Sequence, residues 1–583
     1  MMNFLATHEL VISTLSPVHI GCGEDYEPTN YVIDDKGVLH ALEASALARA
    51  GGEPLMADLA RALEIDDAIR QLRAVHAALQ RHRDKLAPAA VAQVPMCKGV
   101  LAHYRQTQDA RNDFNRNGIE RTTFNPITQH PYLPGSSLKG AMRTAWLWQR
   151  GAGHNPLPQQ LLDEIARFND MIEEYELGGG KIGLRLKTIH SRRDYGTARK
   201  DIERALQSAA NALDAQWLGG RFETDPLRAL KIGDAQALDA DIEREIRFCL
   251  NRSRSGRRTQ AQSSNLYTRL EYICEHQPAA FGLAINLQRL ESIAGRTDRQ
   301  GKSLAPMREQ LIDWQDLVRA CNNYYLPRLE NDLRVVRILK PNSQWAFHTA
   351  KLLDEGLRDQ IGKGEVLLLR VGKHGGADSN TVDGRQIKIM LNEDRRQNNG
   401  REEKIRLYVF DSAPRTSWYC GDDLDSPSDL MPHGWVVISR PGLAWQEHMA
   451  GHERRMERHR LAEAAQRRQA EEAEKAKQEA ERAAARAAAL AAMTPNQRLI
   501  ADFIATCQKR AEQLNGGKDK PNTTLHNKAR EMVKAAKESA DWTQEEKQRL
   551  ADAIEEWLPK LIERLDAKET RKQLKLAELR SAG

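Results

Sequence analysis

The segment Pro131 to Leu147, PYLPGSSLKGAMRTAWL, constrains the fold most, because it imposes a turn and then a helix. A Pro134-Gly135 turn running into Ser136-Ser137 leaves the first backbone N–H groups of that helix without an intrahelical partner, with the positive end of the dipole behind them. Such an end suits an anion. Lys139 and Arg143 fall on one side of the helix, where they reach a phosphate held at the turn, while Leu138, Met142, Ala145 and Trp146 make the buried side. A loop entering a core helix with two solvated cations has the same pattern, and both readings stay open.

At 583 residues the chain has room for several domains. Its 40% hydrophobic and 29% charged residues are ordinary for folded, soluble cores. The net charge of +6, from 87 basic against 81 acidic residues, is too small an excess to identify a nucleic-acid partner, so the distribution of charge must decide. The seven cysteines are scattered without a CxxC pair, which argues against a disulfide framework or a compact zinc knuckle. Asp225 and Asp234 lack the clustered ligands of a metal site and read as turn-forming carboxylates. No metal or cofactor is expected. With no signal-peptide pattern and no apolar run long enough to span a bilayer, a cytoplasmic protein without a membrane partner is expected.

Residues 8 to 15, HELVISTL, read as a first strand running into Ser16-Pro17-Val18-His19-Ile20-Gly21-Cys22-Gly23, where proline and glycines stop it. Tyr31 to Ile33 and Val38 to Leu42 read as a hairpin, and Glu43 to Leu86 as two or three short helices. Strands are expected at 266–273 and 281–285, as antiparallel neighbours, and a buried strand at 365–371. The module closes with Met431-Pro432-His433-Gly434-Trp435-Val436-Val437-Ile438.

Three further segments combine glycine or serine with cations. Gly178-Gly179-Gly180-Lys181 leads into a strand carrying Arg185, followed by His190, Arg192 and Arg193. Asn251 to Arg258, NRSRSGRR, holds Arg252, Arg254, Arg257 and Arg258 with no acid. Gly372-Lys373-His374-Gly375-Gly376 repeats the chemistry after the buried strand. Glycine lets a backbone approach a sugar-phosphate chain and guanidinium supplies several donors, so these segments fit RNA, although flexible loops with solvated cations look alike. None is a P-loop, since GxxxxGK[ST] is absent. His19 and His374 have no local acid, base or nucleophile to work with, and no catalytic residue is assigned.

From about Gln446 the composition changes. Residues 453 to 490 contain ten Lys or Arg and eight Glu among many alanines, with no proline or glycine. That predicts an exposed charged helix of about 57 Å if unbroken. Residues 494 to 565 then read as a small helical domain built on Leu499, Ile500, Phe503, Ile504, Trp542, Leu550, Ile554, Trp557, Leu558, Leu561 and Ile562, with a frayed charged end from Asp566.

Taken in order, SPVHIGCG at 16 to 23, YLPGSSLKGAMRTAWL at 132 to 147, DPLRALKIGD at 225 to 234, LRVGKHGG at 369 to 376 and MPHGWVVI at 431 to 438 resemble the repeat-associated mysterious protein (RAMP) superfamily of CRISPR effectors. More closely they resemble the terminal, guide-capping subunit family of type III-A complexes. The resemblance covers approximately 1 to 445 and implies an α+β fold of tandem ferredoxin-like, RNA-recognition-type units with helical insertions. The expected division is 1–224 and 225–445 for the two units, 446–493 for a charged helical linker, and 494–583 for a helical extension that departs from the family's compact pattern. It also implies binding the 3′ part of the CRISPR RNA (crRNA), contact with the Csm3-type repeated backbone subunit and other type III effector subunits, and help for host nucleases in guide maturation. The candidate RNA contacts are Gly135, Ser136, Ser137, Lys139, Arg143, Lys181, Arg185, His190, Arg192, Arg193, Arg252, Arg254, Arg257, Arg258, Lys373 and His374. The alternatives are a metal-independent ribonuclease using His19 or His374, and a protein-binding scaffold without RNA recognition.

Overall fold

The alternating and continuous apolar runs form strands, and strands distant in sequence pair side by side. The computed structural model describes residues 5–109, 118–151, 157–176, 182–219, 224–239, 242–254, 266–288, 297, 299–301, 312–381, 385–398, 401–449, 492–514 and 516–581. Two units, Met1–Met456 and Glu457–Gly583, each have their own contacts.

Among the described residues of the first unit, two large sheets dominate. In the first, β1 (Leu5–Thr14) lies between β9 (Phe281–Gln288) and β13 (Trp435–Ser439), and β10 (Val366–Arg370) forms one edge beyond β13. On the other side follow β6 (Ala235–Ala237) and β4 (Tyr132–Leu133), while β5 (Leu230–Ile232) also pairs with β9. These pairings are antiparallel. The second sheet runs β12 (Met431–Pro432), β11 (Thr416–Gly421), β7 (Arg244–Ser253), β8 (Tyr267–Ile273), β3 (Ile119–Thr122), β2 (Gly21–Tyr26). Only β8 and β3 run parallel there. Both sheets draw strands from either side of residue 224, so that position does not separate two sheets.

One expectation needs correction. β8 and β9 are not neighbours; they belong to different sheets, and the chain between them crosses over. The crossing is fixed on β1, where the Thr14 N–H donates to the Gln277 carbonyl and the Ala279 N–H to Ser13 Oγ, with His276 and Ala279 both at positive φ.

The helix Gly135–Gly151 buries Leu138, Met142, Ala145 and Trp146, the side its periodicity predicts. β10 is buried at every position because the helix Trp314–Leu339 lies against it. Asn322 of that helix closes the outer edge of the strand: its Nδ2 donates to the Val366 carbonyl at 2.8 Å and its Oδ1 accepts from Leu368 N–H at 2.9 Å. The buried charge of Arg370 meets Asp332 at 3.0 Å, and Trp435 Nε1 donates to the same carboxylate at 3.0 Å. Burial without such partners would cost several kcal/mol, roughly.

The described part of the second unit comprises the helices Pro495–Leu514, Thr524–Glu538, Gln544–Leu561, Ala567–Gln573 and Ala577–Arg580. Ile500, Phe503, Trp542, Leu550, Ile554, Leu558, Leu561 and Ile562 are buried, whereas Leu499 is exposed. The end from Asp566 is not frayed: Leu574, Leu576 and Leu579 are buried, and Arg571 and Arg580 both pair with Glu555. The charged stretch 453–490 lies outside the described residues.

Candidate nucleic-acid interface

Three loops meet at one end of the two sheets, and their sequences are SPVHIGCG, VGKHGG and MPHGW. The Val371 N–H donates to the Gly434 carbonyl at 2.8 Å, the Gly434 N–H to Pro17 at 2.9 Å, and the Lys373 N–H to His19 at 2.9 Å. Glycine makes this possible at two positions. Gly372 has φ +83° and a Cβ there would stand 2.3 Å from the His19 carbonyl oxygen; at Gly434, φ +81°, it would stand 1.9 Å from that of Val371.

The side chains within the junction are mostly neutral bases. His19 is buried and its Nδ1 lies 2.8 Å from the Glu271 carbonyl, which only accepts, so the proton is on Nδ1 and Nε2 carries the lone pair. That Nε2 is 3.8 Å from Glu120 Oε2, to which Lys373 Nζ is also bonded. Burial lowers the His19 pKa despite the opposing Glu271 carbonyl and Glu120. His374, at φ 64°, has its pKa pushed down to about 4 by burial, with Lys373 and His19 adding to the effect. Its ring lies 4.8 Å from Trp418 and 5.6 Å from His433. His433 is fully enclosed and stacked on Tyr272 at 5.5 Å; burial, then His374 and Arg370, hold its pKa well below the ordinary value. Among the described residues, none hydrogen-bonds the buried His19 Nε2, His374 Nε2 or His433 Nδ1. Among the described residues no group of three or more His, Cys, Asp or Glu is placed to hold a metal ion.

Arg254 joins this junction. Its guanidinium meets Asp378 at 2.7 Å, just beyond the VGKHGG loop; burial opposes the charge and Asp378 more than offsets it, raising the pKa. Two of the basic segments read from sequence therefore converge. Arg252, two residues earlier on β7, donates to the Leu424 carbonyl at 2.6 Å and to that of Asn251 at 3.1 Å, and burial lowers its pKa. Arg257, Arg258 and Lys181 lie outside the described residues.

The remaining candidates sit elsewhere, and Gly135, Lys139, Arg143 and Arg185 have partners inside the chain. Gly135 N–H donates to Asp234 Oδ1 at 2.8 Å, so a carboxylate of this chain already occupies the helix end that the sequence offers to an anion. Ser136 is exposed and Ser137 half-buried. Lys139 Nζ donates to the Leu230 carbonyl at 2.8 Å, its pKa lowered by burial and by Lys231. Arg143 bridges Asp214 at 2.9 Å and Asp225 at 3.1 Å. Asp225 also caps Leu227 N–H at 2.8 Å, the turn-forming role its sequence suggests. Arg185 pairs with Glu173 at 2.8 Å beside the Tyr175 ring. His190 closes a turn onto Lys187, and half-buried Arg192 and exposed Arg193 begin the helix Arg192–Leu218, capped by Ser191. That hairpin and helix share a separate apolar core with Leu407 and Phe410.

Sequence reasoning missed Glu120, Glu271, Trp418 and His433. His433 had a local signal in the MPHGW turn; the others reach the junction only through strand pairing.

The RAMP superfamily model matches residues 11–302, and the chain belongs to that superfamily. No curated protein matches the sequence. Among solved structures, a chain of a Csm–crRNA–target RNA ternary complex of a type III-A CRISPR–Cas system has 16% identity and a TM-score of 0.38, over 74% of this chain and 100% of that one. Csm5 from T. onnurineus has 16% identity and a TM-score of 0.39, over 62% of this chain and 89% of that one.

Proposed function

We propose that this protein is the crRNA-binding terminal subunit of a type III-A effector complex, without catalytic activity of its own. It caps the backbone near the 3′ region of the guide, contacts the repeated backbone subunit and other effector subunits, and assists nucleases of the host in guide maturation. The two interleaved sheets are read as its two ferredoxin-like units. The observation that carries the reading is the meeting of three motif loops with Lys373 and Arg254 at one rim. Cations there hold a sugar-phosphate chain in register without reading its bases, and glycine loops let backbone amides approach it. The membership in the superfamily and the ordered motif set support the same assignment.

The test is RNA crosslinking with peptide mapping on the chain purified with its native complex. Crosslinks at 252–258 and 372–376 on the 3′ portion of the guide are expected. RNA present in the complex but crosslinked at neither segment, nor at 135–143 or 178–200, would replace direct recognition by a scaffold role.

The ribonuclease reading has one observation in its favour: His19 and His374, which lack partners in sequence, lie beside Lys373 and Glu120. Enclosure of His19 Nε2 away from solvent opposes it. Products ending in 2′,3′-cyclic phosphate that disappear on His19→Ala or His374→Ala would favour cleavage.

A further inference from the structure

Trp418 lies on β11 opposite Asn251, half-buried, at the outer end of a run of rings. His374 is 4.8 Å from it at 33°, His433 follows at 5.6 Å from His374, and Tyr272 at 5.5 Å from His433. Tyr272 and His433 are enclosed, so the run leads from the core to one indole that solvent reaches. Trp146, Trp345, Trp435 and Trp445 are fully buried, whereas Trp148, Trp217 and Trp314 are half-buried like Trp418, so it is the neighbouring loop and its cation that set Trp418 apart.

His374 adopts a backbone conformation unfavourable for a residue with a Cβ, and among the described residues its buried Nε2 has no hydrogen-bond partner. Strain and an unmet polar atom at one residue mark a position where geometry is kept for a reason other than stability. What the imidazole does there is brace the indole. Lys373 stands beside it in sequence, and Arg254 is tied to the same loop through Asp378. The Lys373 side chain is 39% exposed against 16% for Arg254, so Lys373 is the cation that exchanges its carboxylate for a phosphate at little expense.

We propose that Trp418 is a nucleobase-stacking residue: one unpaired base of a single-stranded RNA lies on its indole while the adjoining phosphate meets Lys373. The inference rests on the RNA-binding reading above and adds a contact which that reading lacks. An indole offers a π-face to any base, so the contact contributes affinity and register with little dependence on sequence. The competing explanation is a lid that shields the histidines from water and touches no ligand.

The experiment uses the full chain and a single-stranded RNA in which 2-aminopurine replaces successive bases. Fluorescence quenching, affinity against salt, and ultraviolet crosslinks with peptide mapping are recorded for the wild type, Trp418→Ala and Trp418→Phe. We expect quenching at one base position, a crosslink within 416–421, and about tenfold weaker binding for Trp418→Ala with the salt slope unchanged, largely restored by Trp418→Phe. Wild type that binds RNA with no quenched position and no crosslink in 416–421 overturns the stacking contact and leaves the RNA-binding reading standing. So does a folded Trp418→Ala that binds as tightly as wild type. Should Trp418→Ala not fold, the wild-type crosslink and Trp418→Phe decide. Wild type that binds no RNA at low salt removes the RNA-binding reading, and the stacking contact falls with it.

Discussion

At Gly434 the absence of a Cβ decides whether three loops can meet. Gly434→Ala puts a methyl group 1.9 Å from the Val371 oxygen at φ +81°, and the bonds from Val371 N–H and to Pro17 leave the backbone no room to yield. Strain of this kind is worth about 1–3 kcal/mol per residue before the clash is added. The expected loss is about 3 kcal/mol or more, read from denaturant midpoints. Gly21→Ala is the control, because its Cβ would sit 3.6 Å from His19 Nε2, an ordinary contact. Equal midpoints for the two variants would contradict the close approach. The histidines beneath give a pH dependence of definite sign. His19, His374 and His433 are all held below the unfolded value of 6.5, His374 at about 4, so the unfolded chain binds more protons as pH falls. Their contribution to stability is complete above about pH 6.5 and is lost as pH falls through the depressed values. Glu120 beside His19 opposes this trend, while Lys373 and Arg370 reinforce it. Urea midpoints should therefore be lower at pH 5 than at pH 7, with a smaller difference in His433→Gln. The same difference in that variant would exclude His433 as a source.

Among elements, β10 carries the clearest test of an edge closed by a side chain. Asn322→Leu keeps the branched shape but leaves the Val366 carbonyl and the Leu368 N–H without partners, and each buried orphan costs about 1–3 kcal/mol. A loss of about 2–5 kcal/mol in denaturant unfolding is expected, and a neutral effect would mean that water reaches this edge. The strand itself was legible in sequence, as were β1, β9 and the helix at 135, because an apolar run or a period is local. Pairing was not. The expected adjacency of β8 and β9 rested on closeness in sequence, and the chain instead used the Cys274–Ala280 segment to change sheets. The candidate site divides along the same line. Lys373 and His374 stand beside glycines and announce themselves, whereas Glu120 reaches Lys373 across 253 positions and Trp418 reaches His374 only because β11 pairs with β7. The helix end at Gly135 looked open for the same reason, since Asp234 lies 99 positions away.

At the scale of the whole molecule, the two units differ in how much they depend on distant sequence. The first unit interleaves strands from residue 5 to residue 439 in one sheet, so no cut within it leaves the sheet whole. The second closes on itself within 492–581. Phe503, Cys507, Leu550, Ile554 and Leu558 form its core, and Thr543 with Glu546 makes a capping box at the start of the helix Gln544–Leu561. Glu555 ties the two short terminal helices back onto that helix through Arg571 and Arg580. A core of this size is marginal for about 90 residues, so the salt-linked end matters to it. We therefore expect a fragment spanning 492–583 to fold alone, with helical circular dichroism and a single cooperative thermal transition. Leu579→Ala should lower its midpoint, because Leu579 is buried although it lies in the stretch whose charge suggests fraying. A broad, non-cooperative melt of the fragment would show that this unit needs the residues before it, and the C-terminal core would then have to be counted as part of a larger one.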